Sequence, residues 1–245
     1  MDYKNINGII LTSRKYKENQ SILKLFTREL GLITILNKSS IKANTSGRSM
    51  NHFCSEGLYT LAKGKNFYYI KDFDLINGNL FLRQSFEAYI YINLIANIIN
   101  ITMLENIVEP KIYDLFNKTI LMMKKRKENS LMYLNGFLIK FITYLGYKPN
   151  LRVSSLKKKN YYFSFSTGGI FENNVETQQG INLTKENLLY LRFILITPYE
   201  NFKDIFPKKT SIDIFNFLIL YLKYLFEIQT LSALNLVDSY HSNKL

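Results

Sequence analysis

A set of side chains near the start of the chain has the chemistry to grip a run of phosphates: Arg14, Lys17, Arg28, Lys38, Lys42, Arg48, Lys63 and Lys65, with Tyr16 beside the first two. Lysine and arginine neutralise phosphate charge and release counterions. Contacts of this kind bind without regard to base sequence and weaken as salt rises. An exposed tyrosine adds a flat face on which an unpaired base stacks. For any single lysine the simpler reading is a solvated surface charge. For the whole set, crowded into one short region, binding is the better reading. Phe53, Tyr68 and Tyr69 are aromatic too, but an aromatic in a strand more often belongs to the core. Tyr16 differs because charged residues surround it.

A second basic tract runs from Lys124 to Lys159, and no Asp or Glu occurs between Glu128 and Glu172. Within it, Lys157, Lys158 and Lys159 either extend a nucleic-acid track or keep a loop in solution. Other chemistries find little support. His52 and His241 are the only histidines and lie far apart. Cys54 is the only cysteine, so no intrachain disulfide forms, which suits a reducing cytoplasm. Its nearness to His52 does not make a nucleophile–base pair. No glycine loop of the phosphate-cradling type occurs. The expectation is a binding protein without a catalytic centre or cofactor.

The elements that must carry these cations come in two styles. Short apolar runs at Gly8–Ser13, Ser21–Thr27 and Leu32–Leu36 read as strands, and two more at Gly57–Ala62 and Phe67–Lys71 flank Lys63-Gly64-Lys65 as a hairpin. Five strands in so short a span predict a small closed or nearly closed barrel. On it, Arg14 and Lys17 fall in the turn after the first run and Arg28 in the turn after the second. Lys38, Lys42 and Arg48 fall in a long surface loop, Asn37–Ser55. Lys63 and Lys65 flank the hairpin turn. After Asn77-Gly78 the apolar period becomes helical, through Leu80, Phe81, Phe86, Ile90 and Leu94. Pro110 suits the first turn of the next helix, and Lys124–Lys127 suit its carbonyl end. Leu131–Leu145, Leu188–Ile196 and Ile212–Leu234 read as further helices, with Thr184 and Ser211 as caps for the last two. Between them lies an insert, Asn150–Gly180, with a strand-like Tyr161–Ser166 and the turn Thr167-Gly168-Gly169.

Composition agrees with a folded protein that meets a polyanion. The chain has 245 residues, 47% of them hydrophobic, and 32 Lys+Arg against 19 Asp+Glu, a formal charge of +13. Nucleic acid is the first partner such an excess implies and an anionic membrane surface the second. The rival explanation is a lysine-rich composition whose charges are merely solvated. The most apolar stretches, Phe86–Ile101 and Ile212–Phe226, are interrupted by Glu87 and bracketed by Asp213 and Lys223, short of the ~20 clean residues of a membrane span. The opening MDYKNINGII lacks a signal peptide's long apolar region.

Several quoted runs resemble one family. Gly8-Ile9-Ile10-Leu11, Arg14, Tyr16, Glu18, Ile22-Leu23, Leu25-Phe26-Thr27-Arg28-Glu29 and Gly31 match the opening of the bacterial RecO family. The hairpin from Gly57 to Ile70 fits that family's fourth and fifth strands. Leu145-Gly146-Tyr147-Lys148-Pro149-Asn150-Leu151, Phe163-Ser164-Phe165 and Gly168-Gly169 match its insert. The resemblance implies an α+β protein: a five-stranded OB-fold barrel over 1–78 that binds nucleic acid, then a helical domain over 79–245. The insert at about 150–180 is a degenerate, zinc-less β-hairpin. It further implies a DNA repair and recombination mediator that binds single- and double-stranded DNA and anneals complementary strands. Its implied partners are RecR, the C-terminal tail of single-strand-binding protein and, indirectly, RecA, in the bacterial cytoplasm at the nucleoid and without a membrane. Many RecO proteins carry CxxC twice in the insert. Here those positions fall near Ser154 and Lys157 and near Glu172 and Val175, so no zinc is expected. The alternative is a generic OB-fold nucleic-acid-binding protein without the mediator role.

Overall fold

The computed structural model describes residues 3–18, 20–38, 52–65, 67–171, 179–203 and 205–242. The chain forms two compact units, residues 1–114 with 233–245 and residues 115–232.

The first unit is built on a closed barrel. Its strands are β1 (Tyr3–Lys17), β2 (Gln20–Thr27), β3 (Gly31–Lys38), β4 (Glu56–Lys63) and β5 (Tyr68–Asn77), in the order β1-β2-β3-β5-β4. The long β1 serves two neighbours: Tyr3–Ile9 pairs with β4, and Gly8–Lys17 pairs with β2. Only β3 and β5 run parallel, through Ile35↔Tyr68 and Leu36↔Tyr69. Ile6, Ile10, Leu23, Leu25, Ile33, Ile35, Tyr59 and Phe73 fill the interior. Strand alternation sends their neighbours outward, which is why charged residues between apolar ones do not disturb the core.

Several strands run longer than the apolar runs that announce them. Arg14, Tyr16 and Lys17 are not in a turn; they lie on β1, where the register continues to Lys17↔Gln20. Both faces are wet there, so the backbone ladder persists without an apolar period. Lys38 likewise ends β3, opposite Gln20, rather than lying in the loop after it. Phe73 keeps β5 in the core past Lys71. The β4–β5 turn is closed by Gly64 N–H donating to the Phe67 carbonyl at 2.9 Å.

A short 3-10 turn at Leu80–Arg83 leads into α1 (Phe86–Thr102). Ser85 caps α1 by accepting from the Ala88 amide. Ile90, Tyr91, Leu94, Ile95 and Ile98 are buried on it. Pro110 opens α2 (Pro110–Lys125), as its fixed φ and missing N–H favour.

The second unit centres on α3 (Ser130–Tyr144), buried continuously from Ser130 to Ile139. α4 (Lys185–Ile196) is capped by Thr184, whose hydroxyl accepts from the Asn187 amide at 3.1 Å. α5 spans Lys208–Leu225, and Ser211 lies inside it as a buried residue rather than capping it. The single helix expected over Ile212–Leu234 ends at Leu225, where Glu227 turns to a φ of 52°. The chain then forms a separate α6 (Leu234–Ser242), which belongs to the first unit. The insert holds β6 (Asn160–Ser164), β7 (Gly169–Phe171) and a third strand, β8 (Gly180–Thr184), in the order β7-β6-β8. Among the described residues no helix is long and apolar enough to cross a membrane.

Candidate nucleic-acid interface

Strand pairing lays most of the candidate cations on a path across neighbouring strands. Lys17 lies opposite Gln20, and Gln20 lies opposite Lys38. The parallel pairs of β3 with Tyr68 and Tyr69 carry the path to β5, and Tyr68 lies opposite Lys63 at the end of β4. Lys65 follows in the tight turn. These positions form a continuous rim that runs from the Lys17 end of β1 across β2, β3 and β5 to the opposite end of the barrel, where Lys63 follows Ala62, the partner of Tyr3, with Arg14 a short way back on β1 opposite Ile22. Arg14, Lys17, Lys63 and Lys65 are exposed. Tyr16 is 52% exposed, and the Lys17 ammonium sits 5.7 Å from its ring centre. Lys42 and Arg48 lie outside the described residues.

Sequence reasoning missed Lys4 and Lys15, both exposed on β1. A groove of about 830 Å³ runs beside the rim, lined by Lys4, Thr34, Lys63, Gly64, Lys65, Tyr68 and Glu105 among others. In OB-fold proteins the β2–β3 face and the β1–β2 and β4–β5 loops bind oligonucleotides. The rim and the groove use that same region.

Arg28 is elsewhere. It follows the other end of β2, and eight strand residues separate the two ends by roughly 23 Å. Its guanidinium grips Asp114 with two bonds, Nε to Oδ1 at 2.9 Å and Nη2 to Oδ2 at 3.2 Å. The Asp114 hydrogen bond and its negative charge both raise the arginine's pKa.

Lys24 also escaped the sequence reading, although a lysine inside Leu23-Lys24-Leu25 marks an outward position in a strand. It is the cross-strand partner of Thr34. Both side chains meet Glu105 from the segment between α1 and α2. The Lys24 ammonium donates to Oε1, and the Thr34 hydroxyl lies 3.0 and 2.9 Å from Oε1 and Oε2. Burial would raise the Glu105 pKa, but these two hydrogen bonds and the Lys24 charge outweigh it and hold the carboxyl below its ordinary value.

The second basic tract is partly consumed by packing. Arg126 donates to the Phe202 carbonyl at 3.1 Å. The Lys140 ammonium, half-buried, donates to the carbonyls of Leu195 and Thr197, and burial lowers its pKa. Lys157, Lys158 and Lys159 are exposed in the second unit, on the approach to β6.

The insert has no donor set for zinc at the positions described. Ser154 and Lys157 offer no thiolate, and Glu172 and Val175 lie outside the described residues. Aromatic packing holds the sheet: Phe163 is fully buried, 5.0 Å from Phe217 and 5.1 Å from Tyr221. Phe165 adds Tyr221 and Tyr224 at 5.7 and 5.6 Å. Cys54 is fully buried, and burial pushes its thiol far up, away from the thiolate a nucleophile needs. His52 Nδ1 instead meets Arg83 at 3.0 Å.

Comparison with known proteins agrees with this layout. Residues 1–79 match the family model "Recombination protein O N terminal", and residues 83–233 match "Recombination protein O C terminal". The chain is 24% identical over 210 residues to a DNA repair protein RecO of Caldanaerobacter subterraneus, covering 84% of this chain and 85% of that one. It is 23% identical to the proteins of that name from Clostridium acetobutylicum, over 79% and 80% of the two chains, and Clostridium perfringens, over 76% and 78%.

Proposed function

The chain belongs to the recombination protein O family, which makes it a non-catalytic mediator in DNA repair and recombination, and from that premise we propose that the rim of the barrel is where it holds DNA. The observation that carries this reading is the path of Lys17, Lys38, Lys63 and Lys65 across neighbouring strands, with Arg14 and Tyr16 beside Lys17. Cations so placed follow a phosphate backbone, and Tyr16 offers a face to an unpaired base. Arg28, committed to Asp114 at the other end of β2, is not part of this rim.

In this reading, residues 1–78 bind single- and double-stranded DNA and residues 79–245 carry protein contacts. Two complementary strands held on one cationic surface repel each other less, so they anneal. With RecR, the protein promotes RecA loading on DNA coated by single-strand-binding protein, in the bacterial cytoplasm at the nucleoid. A pocket of about 600 Å³ in the second unit supports a role for the acidic-hydrophobic tail of single-strand-binding protein. Leu151, Leu195 and Ile196 supply its apolar wall, and Lys148, Arg152 and Arg192 supply cations. Lys157–Lys159 are a secondary DNA contact in the same reading.

Strand annealing, with and without single-strand-binding protein and across a salt series, tests the proposal. Annealing that falls with salt and survives single-strand-binding protein is the expected result. Salt-sensitive binding without annealing and without RecR association would reduce the protein to a generic OB-fold binder.

A further inference from the structure

The contact of Glu105 with Lys24 and Thr34 is not a chance surface ion pair. Leu23, Leu25, Ile33 and Ile35 fill the barrel, so Lys24 and Thr34 face outward side by side on the β2–β3 face. An ammonium and a hydroxyl converge there on the two oxygens of one anion. The segment that delivers this anion is latched to β3. Asn106 N–H donates to the Leu32 carbonyl at 2.9 Å, Glu105 bridges Leu32 in parallel, and Asn106 adopts a φ of 62°. The Ile107 carbonyl then passes so close to Gly31 that a Cβ at residue 31 would lie 1.9 Å from its oxygen. Gly31 itself has a φ of 69°, so both space and backbone demand glycine at this crossing.

The same groove that touches the rim through Lys63, Lys65 and Tyr68 ends on Thr34 and Glu105. A phosphate backbone leaving the rim along this groove therefore meets a carboxylate seated where a phosphate would be welcome. We propose that Lys24 and Thr34 form a phosphate subsite and that residues 103–109 are an acidic strap across it, with Glu105 standing in for the phosphate until a strand displaces it. The inference rests on the reading of the barrel as a DNA-binding surface. The strap makes rim binding the first step and occupation of the β2–β3 face the second, and it shortens the resting footprint.

The test is fluorescence anisotropy of a labelled oligothymidylate against the full chain, Glu105→Gln, Glu105→Gln with Lys24→Ala, and Glu109→Gln, across a salt series. One added phosphate contact on a single strand steepens the salt slope by about 0.7, equal to about fivefold tighter binding at 0.1 M salt. Glu105→Gln is expected to show that gain, the double variant to lose it, and Glu109→Gln to lack it. In parallel, amides of residues 103–109 in the unaltered chain are expected to exchange with deuterium faster when the oligonucleotide saturates it. If Glu105→Gln binds no tighter while the unaltered chain binds with salt dependence, the strap falls and the DNA reading stands. An equal gain from Glu109→Gln reduces the effect to general repulsion and also overturns the strap. If neither the unaltered chain nor Glu105→Gln binds at low salt, both proposals fall. Should Glu105→Gln lose its cooperative melt, the exchange measurement decides: retained protection on saturation overturns the strap.

Discussion

Arg14 and Arg28 both sit beside β2, yet they meet opposite fates. Arg14 lies across from Ile22 near the start of that strand, exposed beside Tyr16 and Lys17. Arg28 follows its last residue and is clamped by Asp114, while Lys24 between them is held by Glu105. The rim thus offers its cations to the outside, while Lys24 and Arg28 are spent on the chain's own carboxylates. The difference teaches that charge counts alone do not locate a polyanion site. What matters is which cations the fold leaves uncommitted.

Four experiments bear on that contrast. The largest effect is expected from removing the rim: Lys17→Ala with Lys63→Ala and Lys65→Ala. At about 0.7 slope units per phosphate, single-strand affinity should fall about 100-fold at 0.1 M salt and the slope by about 2. An unchanged slope in a still-folded triple variant would move the interface off the rim. Arg14→Ala alone should cost about fivefold by the same relation, read by anisotropy. Next comes acid. Glu105 titrates below its unfolded value, so its hold on Lys24 and Thr34 is complete above the unfolded pKa, near 4.3, and fades as pH falls through the folded one. Protection of the Asn106 amide, taken relative to the intrinsic exchange rate at each pH, should hold above the unfolded value and fall as pH drops through the folded one; equal protection throughout would break the link. The smallest effect belongs to Arg28→Ala, expected to leave the salt slope unaltered. A drop as large as that of Arg14→Ala would erase the distinction between the two arginines.

The barrel was legible because its core-facing residues alternate with polar ones in short runs, and the β4–β5 turn carries its own signature in Lys63-Gly64-Lys65. The ends of β1 and β3 were not. Pairing at Lys15–Lys17 and at Lys38 is held by backbone hydrogen bonds, which leave no apolar period to read. The rim cations were readable by type, but their grouping depends on register. The Arg28–Asp114 pair joins residues 86 positions apart, and nothing local announces it. Glu105 was hidden for the same reason: an acid in a short linker gives no hint that it lies on β3. In the second unit, Lys140 lies within the basic tract, yet carbonyls at the end of α4 hold it. The break after Leu225 was equally silent, since the apolar period runs on through it. The insert could be read more fully, because Phe163 and Phe165 already supplied the bulk that packs on α5.

The return of α6 to the first unit sets an order of assembly. The Tyr91 hydroxyl on α1 meets His241 Nε2 at 2.8 Å, across 150 residues of chain, and Phe86 meets Tyr240 edge-on. During synthesis at ~5–20 residues per second, α1 waits roughly 8–30 s for that cover to emerge. The barrel has all its strands long before then, so a nascent chain holds a finished rim above a helix whose apolar flank is still bare. That interval is when a chaperone has most to bind, and a message truncated before residue 233 would leave the flank uncovered for good.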